Sequence, residues 1–113
     1  MMRRLFRETP IFSEKIDETG GDELLRSIED AILENPEAGA TIAGTGGVRK
    51  LRVADPSRQK GKRGGLRVLN LDLPDREKTY LLYAYGKNET EDITTDEKKI
   101  FKSLVAQIKG EPV

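Results

Sequence analysis

The sequence predicts an α+β fold in the element order βααβββα: a short strand, an N-terminal helical hairpin, an antiparallel sheet and a C-terminal helix. Apolar residues recur at helical spacing before residue 36 and after residue 94. Between residues 48 and 85 the pattern is extended, rich in β-branched, aromatic and leucine residues, and broken by turn residues. Helices segregated from antiparallel strands are typical of the α+β class. The length of 113 residues predicts one domain over residues 1–113.

The N-terminal third predicts a strand followed by two helices. Residues 3–8 suit a short strand. Thr9-Pro10 suits the start of a helix, because threonine caps helix N-termini and proline favours the first helical position. Gly20-Gly21 ends this helix, and Asp22 is expected to cap a second helix that ends at Asn35-Pro36. Two helices joined by two glycines predict a helical hairpin.

The remaining elements follow a predicted loop over residues 37–47. Three strands of an antiparallel meander are predicted, over Val48–Ala54, Gly65–Leu73 and Thr79–Tyr85. Thr94 and Glu97 have the spacing of a capping box, in which each side chain bonds the backbone of the other. They predict the start of a last helix, which ends at Gly110.

The composition excludes several kinds of chemistry. The chain has no cysteine and no histidine, which excludes disulfides, thiolate nucleophiles, the usual zinc ligands and the usual general base. We expect no metal and no other cofactor. No run approaches the roughly 18 apolar residues of a membrane helix, and the first residues lack a signal-peptide pattern. We expect a cytoplasmic protein without membrane contact.

Positive charge is concentrated in one segment, although the net charge of the chain is zero. Residues 49–67 contain eight basic residues and one acid, a net +7 that the rest of the chain balances. We interpret this segment as a phosphate-binding surface, since arginine and lysine bind phosphate oxygens. The alternative is a solvated hairpin loop. Composition leaves RNA, DNA and an acidic protein open as partners.

Arg67 is the most informative residue of this segment. It lies inside a predicted strand, on the same side as Leu69 and Leu71 because side chains alternate along a strand. A charge on a partly apolar sheet face needs a partner or a ligand. The ligand reading makes Arg67 a phosphate contact, and the alternative is an ion pair with an acid such as Glu89.

The last predicted strand and the turn after it carry further candidates. Tyr83 and Tyr85 share one face, and either ring could stack on a base or pack in the core. In the tetrapeptide Gly86–Glu89, Lys87 could neutralise phosphate and Glu89 could accept a proton.

Four segments together resemble the RelE/HigB family of toxins from toxin–antitoxin systems: Gly44–Arg52, Gly61–Val68, Tyr80–Glu89 and Asp92–Thr94. The resemblance spans nearly the whole chain and is strongest from residue 44 to residue 109. It implies a small βααβββα toxin that enters the ribosomal A site and cleaves mRNA. The implied chemistry is attack of a ribose 2′-hydroxyl on the adjacent phosphate, without a metal. The resemblance also implies a cognate antitoxin, often a helix-turn-helix protein, through which alone the toxin would contact DNA.

The resemblance also implies roles by position. Arg67 matches the strand arginine that stabilises the reacting phosphate, Lys62 and Arg63 match basic loop residues near the RNA, and Lys87 matches the basic position after the last strand. Lys62 or Glu89 would move the proton. The expected catalytic set is Arg67, Lys87, Lys62 and Glu89. The expected RNA contacts are Arg49, Lys50, Arg52, Lys60, Arg63, Tyr83, Tyr85 and Asn88.

Several positions depart from the family pattern. Asn70, Leu71 and Asp72 stand where close relatives tend to have tyrosines, Asn88 stands where some have arginine, and Thr94 is near the position of a catalytic aromatic. These differences motivate a second hypothesis, a catalytically weak or inactive module that binds RNA, the ribosome and an antitoxin without cutting. A third hypothesis is a scaffolding protein that binds no RNA.

Overall fold

The computed structural model describes residues 4–54, 65–86 and 92–112, and it confirms the α+β class. The strands are β1 (Leu5–Glu8), β2 (Ala40–Thr41), β3 (Arg49–Val53), β4 (Leu66–Leu73) and β5 (Lys78–Gly86). The helices are α1 (Pro10–Thr19), α2 (Gly21–Glu34) and α3 (Thr95–Lys109). A 3-10 turn over Pro74–Arg76 joins β4 to β5. Within the described ranges, no helix is long and apolar enough to cross a lipid bilayer.

The strands form one sheet in the order β1-β5-β4-β3-β2. The predicted antiparallel meander is confirmed for β3, β4 and β5. β1, however, pairs in parallel with β5, so the sheet is mixed rather than antiparallel throughout. The two-residue strand β2 adds to β3 inside a segment predicted as loop. Parallel partners need a long connection between them, and the intervening hairpin and meander supply it.

The helical hairpin begins as predicted and differs at its centre. The hydroxyl of Thr9 accepts a hydrogen bond from the Phe12 N–H at 3.2 Å and donates to the Leu82 carbonyl at 2.8 Å, which ties α1 to β5. The prediction that Asp22 caps α2 is wrong, because Gly20 ends α1 and also occupies the N-cap position of α2. No separate capping turn fits between the helices. Asp22 instead lies in the first turn of α2, where a carboxylate still favours the helix N-terminus.

The two faces of the sheet have separate cores. On one face α1 and α2 pack on the sheet, and on the other face α3 packs through Val105 and Ile108 against Leu69 and Tyr85. The capping box predicted for α3 is confirmed. The Arg76 guanidinium donates to the carbonyls of the last helical turn at 3.1 and 2.8 Å, which fixes the C-terminal end of α3 beside the 3-10 turn.

Asp72, an unusual residue for a strand, has a structural explanation. Its carboxylate accepts a hydrogen bond from the Arg4 guanidinium at 2.8 Å and another from the Thr79 hydroxyl at 2.7 Å. These contacts join the residue before β1 to β4 and β5. The Asp72 side chain therefore stabilises the sheet rather than contacting RNA.

Candidate functional site

The three central strands place opposite residues side by side on the sheet face that α3 partly covers. Arg52 on β3, Arg67 on β4 and Tyr85 on β5 are direct partners in the strand register. Residues directly opposite in antiparallel strands point to the same side, with Cβ atoms about 5 Å apart. We call these three residues the arginine row. The next row along the strands consists of Lys50, Leu69 and Tyr83.

Arg67 is the buried cation of the arginine row. Only 7% of its surface is exposed, and its guanidinium donates to the Gly65 carbonyl at 3.4 Å. Arg52, its direct cross-strand partner, is exposed. Guanidinium groups bind phosphate oxygens through paired hydrogen bonds. Two arginines on neighbouring strands of one sheet face therefore suit an anion such as phosphate.

Tyr85 completes the row with a buried hydroxyl. The residue is 1% exposed, and no described residue forms a hydrogen bond with its hydroxyl oxygen. Burial raises the pKa of the Tyr85 hydroxyl, the carboxylate of Asp92 raises it further, and the charge of Arg67 lowers it. The hydroxyl therefore keeps its proton at neutral pH and is a donor. Because the ring is buried, its surroundings favour the packing role over the base-stacking role considered from the sequence.

Tyr83 is the more accessible tyrosine. Its ring is half-buried and lies 6.0 Å from the Tyr85 ring and 6.3 Å from the Phe101 ring, measured between centroids. The aromatic packing orients the ring at the boundary between the sheet face and α3. Of the two tyrosines, Tyr83 is the one with surface left for a base.

Lys50 is held by a residue that sequence reasoning missed. Its ammonium nitrogen lies 3.8 Å from Oδ1 of Asp92, and the same oxygen accepts the backbone N–H of Ile93 at 2.9 Å. This contact joins β3 to the segment that leads into α3. Asp92 is far from Lys50 in the sequence, and no local motif indicates an ion pair between them.

The structure does not bring Arg49 to this face, which corrects its assignment to the same surface as Lys50 and Arg52. Side chains alternate along a strand, so Arg49 and Lys50 point to opposite faces. The Arg49 guanidinium donates to the carbonyls of Glu37 and Gly39 at 2.9 and 3.0 Å. Arg49 therefore holds the loop after α2.

Six of the predicted site residues lie outside the described residues: Lys60, Lys62, Arg63, Lys87, Asn88 and Glu89. The described residues that flank their segments are close together. Val53, Leu66 and Gly86 are direct partners in the strand register, one step beyond the arginine row. Both segments are therefore connected to the sheet at the end where Arg67 lies.

The acidic side chains of residues 4–54, 65–86 and 92–112 form no group of three suited to a metal ion.

Residues 10–111 match the family model described as the RelE toxin of the RelE / RelB toxin-antitoxin system. The matched range contains the helical hairpin, α3 and both rows of the sheet face.

Proposed function

Because the chain belongs to the RelE family of toxins from toxin–antitoxin systems, we propose that it is a ribosome-dependent endoribonuclease that cleaves mRNA. The single observation that carries this proposal is the arginine row. A largely buried arginine lies directly opposite an exposed arginine of the neighbouring strand. This combination suits a phosphate whose negative charge increases during a reaction.

The proposed reaction is a transfer within the RNA chain. The 2′-oxygen of a ribose forms a bond to the adjacent phosphorus while the bond from phosphorus to the 5′-oxygen of the next nucleotide breaks. The 2′-hydroxyl gives up a proton and the leaving 5′-oxygen gains one, so no metal or redox partner is needed. Lys62 and Glu89 are the candidates for these proton transfers.

The arginine row would stabilise charge on the non-bridging phosphate oxygens. Arg67 presents a fixed guanidinium fork in a partly buried site, where electrostatic interactions are stronger than in water. Arg52 approaches the same phosphate from the neighbouring strand. Tyr85 on β5 supports the row by packing beside Arg67, and its hydroxyl is too buried to contact the phosphate. Tyr83, which is half-buried, would stack on a base. The remaining residues proposed to contact the RNA backbone are Lys50, Lys60, Arg63, Lys87 and Asn88.

The family assignment implies a cognate antitoxin. We propose that this antitoxin is of the helix-turn-helix type and that the toxin contacts DNA only through it. Ribosome and mRNA are the other proposed partners, and we propose the cytoplasm as the location of the activity.

A second candidate function is a module that binds the ribosome, RNA and antitoxin with weak or no cleavage. One observation favours it: Asn70 and Leu71 are 1% and 2% exposed. This part of β4 therefore offers no side chain to a substrate, at positions where close relatives tend to have tyrosines. Rate measurements on the unmodified protein separate the two candidates.

The test measures single-turnover cleavage of mRNA on programmed ribosomes. Removing one donor that stabilises transition-state charge costs roughly 10²–10³-fold in rate, and we expect this loss for Arg67→Ala. Arg52→Ala tests the same row at an exposed position that leaves the core intact. Arg26→Ala, exposed on α2, is the matched control and should cleave at the unmodified rate.

Two results would contradict the proposal, one about cleavage and one about the reaction site. If the unmodified protein binds ribosomes and leaves the mRNA whole, the second candidate is correct. If Arg67→Ala and Arg52→Ala fold normally and both cleave at the unmodified rate, the arginine row is not the reaction site. Thermal unfolding of each variant shows whether a lost rate reflects a lost fold.

A further inference from the structure

A groove lies between the start of α1 and the outer side of α3, next to β5. It has a volume of about 320 Å³. Its lining is Thr9, Ile11, Leu82, Tyr83, Glu97, Ile100, Phe101 and Leu104. Most of these side chains are apolar, so the groove suits apolar groups of a ligand.

The two walls of the groove carry exposed isoleucines. Ile11 is 55% exposed on α1, and Ile100 is 66% exposed on α3. Single exposed apolar residues are common, but a contiguous apolar patch marks a site of interaction. Here two large side chains line the same apolar groove, so a partner's apolar group could contact both.

The surroundings of the groove are mainly acidic. An adjoining hollow shares Ile11 and Tyr83 and adds Glu14, Lys15 and Glu18, while Glu97 lies in the groove itself. Three carboxylates against one lysine would repel a nucleic acid. A second copy docked by two-fold symmetry would bring the same acidic rims together. The charges therefore favour a protein segment with apolar anchors and basic neighbours.

We propose that this groove is a docking site for an apolar, basic segment of the cognate antitoxin. The proposal rests on the family assignment, which implies that antitoxin, and not on the cleavage reaction. Apolar side chains of the antitoxin would fill the groove between Ile11 and Ile100, and its lysines or arginines would pair with Glu14 and Glu18. Apolar anchors would supply most of the affinity, and charge would supply steering.

The test measures the affinity of the full toxin chain for purified cognate antitoxin by titration calorimetry. Ile11→Lys and Ile100→Lys each place a cation in the apolar groove, and we expect each to weaken binding at least tenfold. Leu5→Lys is the matched control, because Leu5 is 49% exposed on β1 and does not line the groove. It should bind within twofold of the unmodified chain.

A double variant, Glu14→Gln with Glu18→Gln, tests the charge part of the proposal. It should weaken binding and reduce the dependence of affinity on salt, because screened ion pairs are lost. Unchanged affinity in both isoleucine variants would overturn the proposal. A changed toxin mass in light scattering with unchanged antitoxin affinity would show a surface for self-association and would overturn it too. The assay contains no RNA, so a failure of the cleavage proposal leaves its result unaffected.

Discussion

Replacing Tyr85 with phenylalanine should make the protein more stable and leave its cleavage rate unchanged. The substitution removes one oxygen and keeps the ring, so the packing against α3 is preserved. A buried hydroxyl without a hydrogen bond costs about 1–3 kcal/mol, and no described residue bonds to this one. We therefore expect Tyr85→Phe to raise the free energy of unfolding by about 1–2 kcal/mol, measured by urea denaturation at pH 7.

Tyr80→Phe is the matched control for this substitution. Tyr80 lies on the same strand, but its hydroxyl donates to the exposed carboxylate of Glu111 at 3.4 Å. A long hydrogen bond at the surface contributes little, so the free energy of unfolding should change by less than about 0.5 kcal/mol. A similar gain in both variants would show that the removed oxygen acts through something other than its burial at position 85.

The pH dependence of stability provides a second measurement. The folded-state pKa of Tyr85 is raised by burial above its ordinary value of 10.0. As pH rises past the unfolded value, the unfolded chain releases the proton first, so stability falls until the folded-state pKa is passed. The slope is at most about 1.4 kcal/mol per pH unit for one proton. Tyr85→Phe should lack this alkaline loss, while below the unfolded pKa its stability gain should not depend on pH.

The activity measurement tests whether the hydroxyl reaches the substrate. Because this oxygen is buried in the folded protein, Tyr85→Phe should cleave mRNA at the unmodified single-turnover rate. A phosphate contact, in contrast, would contribute about 1.5–3 kcal/mol, and its loss would slow cleavage roughly 10–100-fold. A less stable variant would refute the reasoning, because the hydroxyl would then have a partner in the folded protein. A slowed variant of normal stability would show that the hydroxyl contacts the substrate during the reaction.

Two further substitutions test the sheet. Asp72→Asn removes the charge that binds Arg4 and Thr79, and it should lower the free energy of unfolding by about 2–3 kcal/mol; a loss below about 0.5 kcal/mol in urea denaturation would contradict this role. Gly39→Ala should cost about 1–3 kcal/mol more than Gly44→Ala, because both have positive φ angles, 86° and 81°, but only at Gly39 would a Cβ overlap the backbone of β3. Equal losses in thermal unfolding would show that no such overlap exists.

Local signals predicted the elements whose determinants are close in sequence. Thr9 and Thr94 cap α1 and α3 as their spacing indicated, since a cap depends on the next three residues. The position of Arg67 on the face of Leu69 also followed from strand alternation. The parallel pairing of β1 with β5 could not be predicted in this way, because its partners are more than 70 residues apart along the chain.

The sequence indicated which segment carries the candidate site, but not how its side chains are arranged in space. The concentration of basic residues in 49–67 identified the basic segment, but it does not show to which face of the sheet each side chain points. Arg49 and Lys50 are adjacent in that segment and lie on opposite sides of the sheet. The burial of Tyr85 and the ion pair of Lys50 with Asp92 depend on how α3 and the segment before it pack on the sheet. No local pattern contains that information.

The neutral total charge of the chain conceals two surfaces of opposite sign. The sheet face carries Arg52 and Arg67, whereas carboxylates surround the groove between α1 and α3. A uniform neutral surface would attract neither a polyanion nor a basic protein, but separated charges steer each towards its own site. Tyr83 belongs to both surfaces, since its ring lines the groove and packs against Tyr85. If antitoxin in the groove shifts this ring, binding free energies require reciprocity: the antitoxin changes RNA affinity by the same factor by which RNA changes antitoxin affinity.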